Sequence, residues 1–129
     1  MLIDLPTVTS IFGSVLLCEA AYNFSSIFFI WTLLNSYASF YYHYTEERSC
    51  KKLDVYCSGI SLSYIFFNLY DKEIPIYSNE IIPILLAFFY LGRSWTNCRP
   101  RRNGYTINHS LFHIFISVGM RGIINKFSE

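Results

Sequence analysis

Long uncharged stretches separated by short charged ones set the rhythm of this chain. No Asp, Glu, Lys or Arg interrupts Ala20 to Thr45, and at about 1.5 Å of helical rise per residue such a run exceeds the roughly 30 Å of a bilayer's hydrocarbon. Three further runs follow, Val55 to Tyr70, Ile81 to about Cys98 and Asn103 to Met120, each near the lower length limit for a crossing. Arg93, near the end of the second, is placed to snorkel. The pattern predicts four transmembrane helices, over about 24–44, 54–70, 81–98 and 105–122. Helix is the expected state, because open strands in lipid leave backbone groups unsatisfied and nothing alternates as a barrel strand does. Tyr41, Tyr42 and Tyr44, Tyr70 and Tyr77, and Trp95 and Tyr105 fall where the membrane interfaces should lie.

A fifth stretch, Leu5 to Cys18, is uncharged but only 14 residues long and is bounded by Asp4 and Glu19. It has no Lys or Arg ahead of it and carries an acid, which argues against a secretory signal. A short or tilted N-terminal helix is expected, with Pro6 in its first turn; a re-entrant or interfacial segment is the alternative. The predicted connections are short, Thr45–Leu53, Asp71–Glu80 and Arg99–Gly104. No repeat or low-complexity tract breaks the chain, so residues 1–129 are expected to form a single all-α domain, a polytopic membrane helix bundle.

Composition agrees with a membrane setting: 53% hydrophobic, 19% aromatic and 15% charged residues, with a net charge of +1. The basic cluster Arg99-Pro-Arg-Arg102 lies between two spans, where it marks a cytoplasmic side rather than a nucleic-acid partner. Cys18, Cys50, Cys57 and Cys98 form no C-x-x-C pair and scatter over different segments, which speaks against a disulfide framework.

Candidate chemistry gathers at one end of the predicted bundle. All three histidines belong to one pattern, Ser39-x3-His43-x10-Asp54 followed by His109-x3-His113. Counting the spans, the 24–44 helix ends, the 54–70 helix begins and the 105–122 helix begins on the same side, so all five residues converge there. Arg48, Lys51, Lys52, Arg99, Arg101 and Arg102 lie on that side and Lys72, Arg121 and Lys126 on the other, which makes the site side cytoplasmic by the positive-inside rule.

Residues four apart share a helix face, so His109 and His113 can reach one metal ion together with His43. Three imidazoles leave zinc an open tetrahedral position for water, the arrangement of a catalytic site, and zinc lowers the pKa of that water to roughly 7. Asp54 can accept a proton from the water or orient a ligand histidine. Ser39 can donate to a substrate oxyanion. Each residue also has an ordinary reading: His43 as an interfacial aromatic, Asp54 as a helix cap, His109 and His113 as a chance spacing. Glu46 and Glu47 read as solvated loop charges rather than ligands. Asn35, Asn68 and Asn108 are expected to bond across helices, worth ~0.6 kcal/mol each, outside the site.

The order Ser-x3-His, Asp, His-x3-His resembles the superfamily of alkaline ceramidases, progestin and adipoQ receptors and their relatives, often called CREST. The spacing Ser39-x3-His43-x10-Asp54 is most similar to the ceramidase version. Lys52-Leu53-Asp54 and His109-Ser-Leu-Phe-His113-Ile-Phe-Ile-Ser-Val look more like the adipoQ receptor branch. The resemblance covers about half of the chain. It implies a zinc held by His43, His109 and His113, with Ser39 and Asp54 beside it, and lipid amidase activity where members are enzymes. Members have seven transmembrane helices, three of them between the Asp helix and the His-x3-His helix, where this chain has one. Losing two helices preserves parity but removes walls of the cavity, so a homo-oligomer is one way to enclose the site.

Two functions follow as expectations. One is a zinc-dependent hydrolase of the membrane acting on a lipid amide, ceramide-like. The other is a non-catalytic membrane receptor or structural protein in which zinc pins helices together. An unrelated small membrane protein without a metal is the third possibility.

Overall fold

The computed structural model of the chain describes residues 5–45, 48–96 and 102–128. The expectations for Glu46, Glu47, Cys98, Arg99 and Arg101, and for the side chains of Arg48, Arg102 and Tyr105, fall outside what it describes. It is all-α, as expected, with five helices among the described residues: α1 (Leu5–Phe24), α2 (Ser26–Thr45), α3 (Arg48–Asp71), α4 (Ser78–Thr96) and α5 (Arg102–Phe127).

Local chemistry explains the breaks. Only Ser25 separates α1 from α2, and its hydroxyl accepts from the Phe28 N–H at 3.4 Å, an N-cap for the new helix. At the end of α3 the chain turns left-handed at Glu73 (φ 51°). The Glu73 N–H donates to Tyr70 O and the Ile74 N–H reaches back to Leu69 O, the paired bonds that close a helix C-terminus. α4 opens with Glu80 reaching back to the Tyr77 N–H at 2.9 Å, half of a capping box.

The boundaries revise the sequence reading in three places. Residues 48–53, expected in a loop, form the first turns of α3. α5 continues beyond residue 122 to Phe127. The N-terminal helix does not stop at Glu19 but runs 20 residues to Phe24, because Glu19 points outward and pairs with Arg121 of α5 at 3.4 Å. That helix is also the one among those described that is long and apolar enough to cross a membrane. The ranking expected from the sequence is therefore reversed. α2 is diluted by its tyrosines, serines, Asn35 and His43, and α3 and α5 incorporate the charges that had been assigned to loops.

α5 packs against both α1 and α4, α1 continues to α2, and α2 to α3, so neighbours run in the order α3, α2, α1, α5, α4. Small residues permit the closest approaches. A Cβ on Gly13 would collide with the Ser117 side chain, and one on Gly119 would come within 2.6 Å of Ile84. The apolar core, including Ala20, Ala21, Phe28, Ile65, Leu69, Met120, Ile123, Ile124 and Phe127, fills the end of the bundle where α1 passes into α2 and α3 ends.

A buried ion pair fastens that same end. Lys126 lies 2.7 Å from Glu80, donates to Pro75 O at 3.0 Å and sits 4.4 Å from the centre of the Tyr77 ring. The hydrogen bond from Lys126, helped by the Tyr77 N–H and opposed by burial, holds the Glu80 carboxyl below its ordinary pKa.

Candidate metal centre

At the opposite end the buried residues are polar. Thr9 and Ser10 of α1, His43 of α2, Ser94 of α4, and His109, Ser110 and His113 of α5 are all buried. His109 and His113 stand one turn apart on α5, and His43 enters from the last turn of α2. The three rings contact one another pairwise: His43 to His109 at 5.0 Å between centroids, His43 to His113 at 4.7 Å and His109 to His113 at 4.6 Å. One nitrogen from each lies within 4.8 Å of the other two. Two nitrogens on a tetrahedral zinc at 2.0–2.1 Å stand ~3.3 Å apart, so the widest pair has to close by no more than about 1.5 Å.

The convergence inferred from helix parity thus holds for the histidines, which come together from positions 43, 109 and 113. Nε2 of His43 is a buried nitrogen that makes no hydrogen bond, while its ring is engaged against Tyr42 and the other imidazoles. A trio of buried imidazoles suits a divalent transition-metal ion, zinc among several. Three donors also leave a coordination position to spare.

Ser39 and Asp54 are brought together as well. The Asp54 carboxylate accepts from the hydroxyls of Ser39 and of Ser58, one turn further along α3. Ser39 in turn lies 3.1 Å from Ser10 Oγ. Either hydroxyl can donate in that contact. The chain Ser10, Ser39, Asp54 and Ser58 ties three helices together. Neither Ser10 nor Ser58 was singled out from the sequence; Ser58 was reachable by its i+4 relation to Asp54, whereas Ser10 carries no local signal.

Two further contacts surround the histidines. Thr9 Oγ1 lies 3.1 Å from His113 Nδ1, and Ser94 Oγ lies 3.5 Å from His109 Nδ1. Gly13, one turn along from Thr9, lets α1 approach α5 so closely that its added Cβ would lie 3.5 Å from His113 O.

No family model, curated protein or solved structure matches the chain. Its chemistry has to be read from its own residues.

Those residues border a cavity of about 430 Å³ with a mostly apolar lining drawn from all five helices. Its volume is in the range of small-molecule sites. His109, His113, Ser39, Asp54 and Ser10 stand at one end, and Phe28, Ile65, Met120 and Ile124 at the other. Of the asparagines, Asn35 bonds across helices to Ser61 Oγ at 3.1 Å and lines the cavity. Asn68 instead bonds the Tyr64 carbonyl of its own helix at 2.9 Å.

Proposed function

We propose that this protein is a multi-pass membrane hydrolase, dependent on a zinc ion held by His43, His109 and His113, that cleaves a lipid amide such as a ceramide. One observation carries the reading: two imidazoles of the three-histidine cluster, His109 and His113, border the same apolar cavity as Asp54. A purely structural clip has no need of a cavity, and an apolar cavity with a few polar groups at one end suits an amphipathic ligand. Zinc, when bound, supplies a Lewis acid and a more acidic water.

Each residue then has a task in this reading. The apolar wall from Phe28 to Ile124 takes the hydrocarbon of the substrate, leaving its amide at the polar end. Asp54 accepts two hydroxyl protons and, with about four lone-pair sites on a carboxylate, keeps capacity to take a proton from water and return it to the leaving amine. Ser39 and Ser58 aim that carboxylate. With its proton directed at Asp54, Ser39 serves as an orienting group rather than an oxyanion donor. The order of elements and the Ser39, His43, Asp54, His109, His113 pattern support kinship with the ceramidase and adipoQ receptor superfamily. In that arrangement α1 to α5 all cross the bilayer, the histidines lie toward the cytoplasm, and Glu80 and Lys126 sit outside the opposite boundary.

The test is release of fatty acid from a fluorescent ceramide by zinc-loaded protein in detergent. Release that disappears in Asp54→Asn while zinc is retained supports the reading. Zinc-loaded wild type that leaves a panel of lipid amides intact overturns the hydrolase assignment.

A second reading has its own observation. Among the described residues α2 and α5 share little packing beyond their histidines, so a metal bridging His43 to His109 and His113 would clip two helices that otherwise meet mainly through α1. A non-catalytic receptor or structural protein needs only that clip, and for it Asp54→Asn is silent while His113→Ala destabilises the fold.

A further inference from the structure

Proton accounting around the histidines reaches further than the ligand set, and rests on the metal reading above. A hydroxyl has one proton. Thr9 spends its proton on its own helix, toward Leu5 O at 3.0 Å and Pro6 O at 3.2 Å. With the proton so directed, its contact with His113 Nδ1 at 3.1 Å is filled by a lone pair on Thr9 and a proton on Nδ1.

Ser94 repeats the arrangement on α4. With its hydroxyl proton directed to Leu91 O at 2.7 Å, it meets His109 Nδ1 at 3.5 Å with a lone pair, a longer and weaker contact. A neutral imidazole protonated at Nδ1 has its lone pair at Nε2.

We infer that Thr9 and Ser94, on two of the three helices that carry no ligand, are positioning residues that fix His113 and His109 as Nδ1–H tautomers, so that both present Nε2 lone pairs to one cation. Helical back-bonding of a Ser or Thr hydroxyl to a carbonyl one turn earlier usually looks like a way of hiding a polar group in an apolar helix. Here it has a second effect, because it turns each hydroxyl into an obligate acceptor. α1 thereby belongs to the metal site without touching the metal.

The experiment uses the full chain in detergent, with its three histidines labelled with nitrogen-15. Imidazole nitrogen shifts of the metal-free protein are expected to show Nδ1–H at His113, and cobalt affinity is then measured by chelator competition. Thr9→Val, which keeps the shape and loses the acceptor, is expected to weaken cobalt binding about 10- to 100-fold and to alter the visible spectrum of bound cobalt. Thr9→Ser restores both, and Ser94→Ala gives a smaller loss, in keeping with its longer contact.

An Nε2–H tautomer at His113, or a folded Thr9→Val that binds cobalt as wild type does, overturns the inference. Should Thr9→Val fail to fold, the wild-type tautomer decides. Wild type that shows Nδ1–H yet takes up no cobalt overturns the metal reading itself, and with it the role of Thr9, so the two failures are told apart.

Discussion

The two ends of the bundle solve the problem of buried polar groups in opposite ways. At the end capped by Tyr77, the charges of Glu80 and Lys126 face each other at 2.7 Å, and their remaining capacity is taken up by the Tyr77 N–H, the Pro75 carbonyl and the Tyr77 ring. The cluster is closed on itself. At the other end, three imidazoles crowd within 4.8 Å with no carboxylate among them in the described residues, and Thr9 and Ser94 place their hydroxyls at Nδ1 of His113 and His109. A closed polar cluster is a fastening; three imidazoles crowded at one point suit a cation. Buried polar groups as such do not identify a site; donor atoms of ligand type gathered within reach of one ion do.

Mutations should separate the ends cleanly. The largest effect is expected for His109→Ala with His113→Ala, which takes bound zinc from about one per chain to none by elemental analysis; no zinc in folded wild type would erase the contrast. Next, Asp54→Asn should cut lipid amide hydrolysis by about 10²- to 10⁴-fold while zinc content holds, read by fatty acid release and metal analysis on the same sample.

At the closed end the expected losses are of stability. Glu80→Gln strands the Lys126 charge and should cost about 2 kcal/mol, seen as earlier thermal unfolding with zinc content unchanged. The pH dependence follows from the same pair. Because the folded pKa of Glu80 lies below the unfolded value of about 4.3, its contribution is present above that pH and lost as pH falls through the folded pKa. Wild type should therefore lose thermal stability on acidification from about pH 5 to 3, and Glu80→Gln should lack that component. The smallest effect is a gain: Glu73→Gly relieves a left-handed φ of 51° and should raise stability by about 0.5–1 kcal/mol without touching metal or activity.

How much of this was legible in the chain differs residue by residue. The meeting of His43 with His109 and His113 follows from parity, since alternate helix ends share a side whatever the detailed packing. The helical state followed from uncharged runs of sufficient length. What failed was the reading of charge as a helix boundary: Lys51, Lys52 and Glu19 lie within helices because each has an exposed position where a long side chain stays solvated. Thr9, Ser10 and Ser94 were invisible because a single hydroxyl in an apolar helix looks the same whether it faces lipid or a histidine. The Glu80 to Lys126 pair joins positions too far apart for any local pattern to connect.

The order of neighbours around the bundle also dictates an order in time. α1 lies between α2 and α5, and its Thr9 meets His113 across 104 positions of chain. Contacts that distant form late, because the intervening loop must close before they repay it. As the chain emerges from synthesis, α1 and α2 can pair at once through the break at Ser25, but they offer one imidazole and a bare seam. Only the arrival of α5 completes that seam and delivers two ligands together. On the metal reading, a chain halted before His109 carries only one of the three imidazoles, so metal uptake would report completed synthesis.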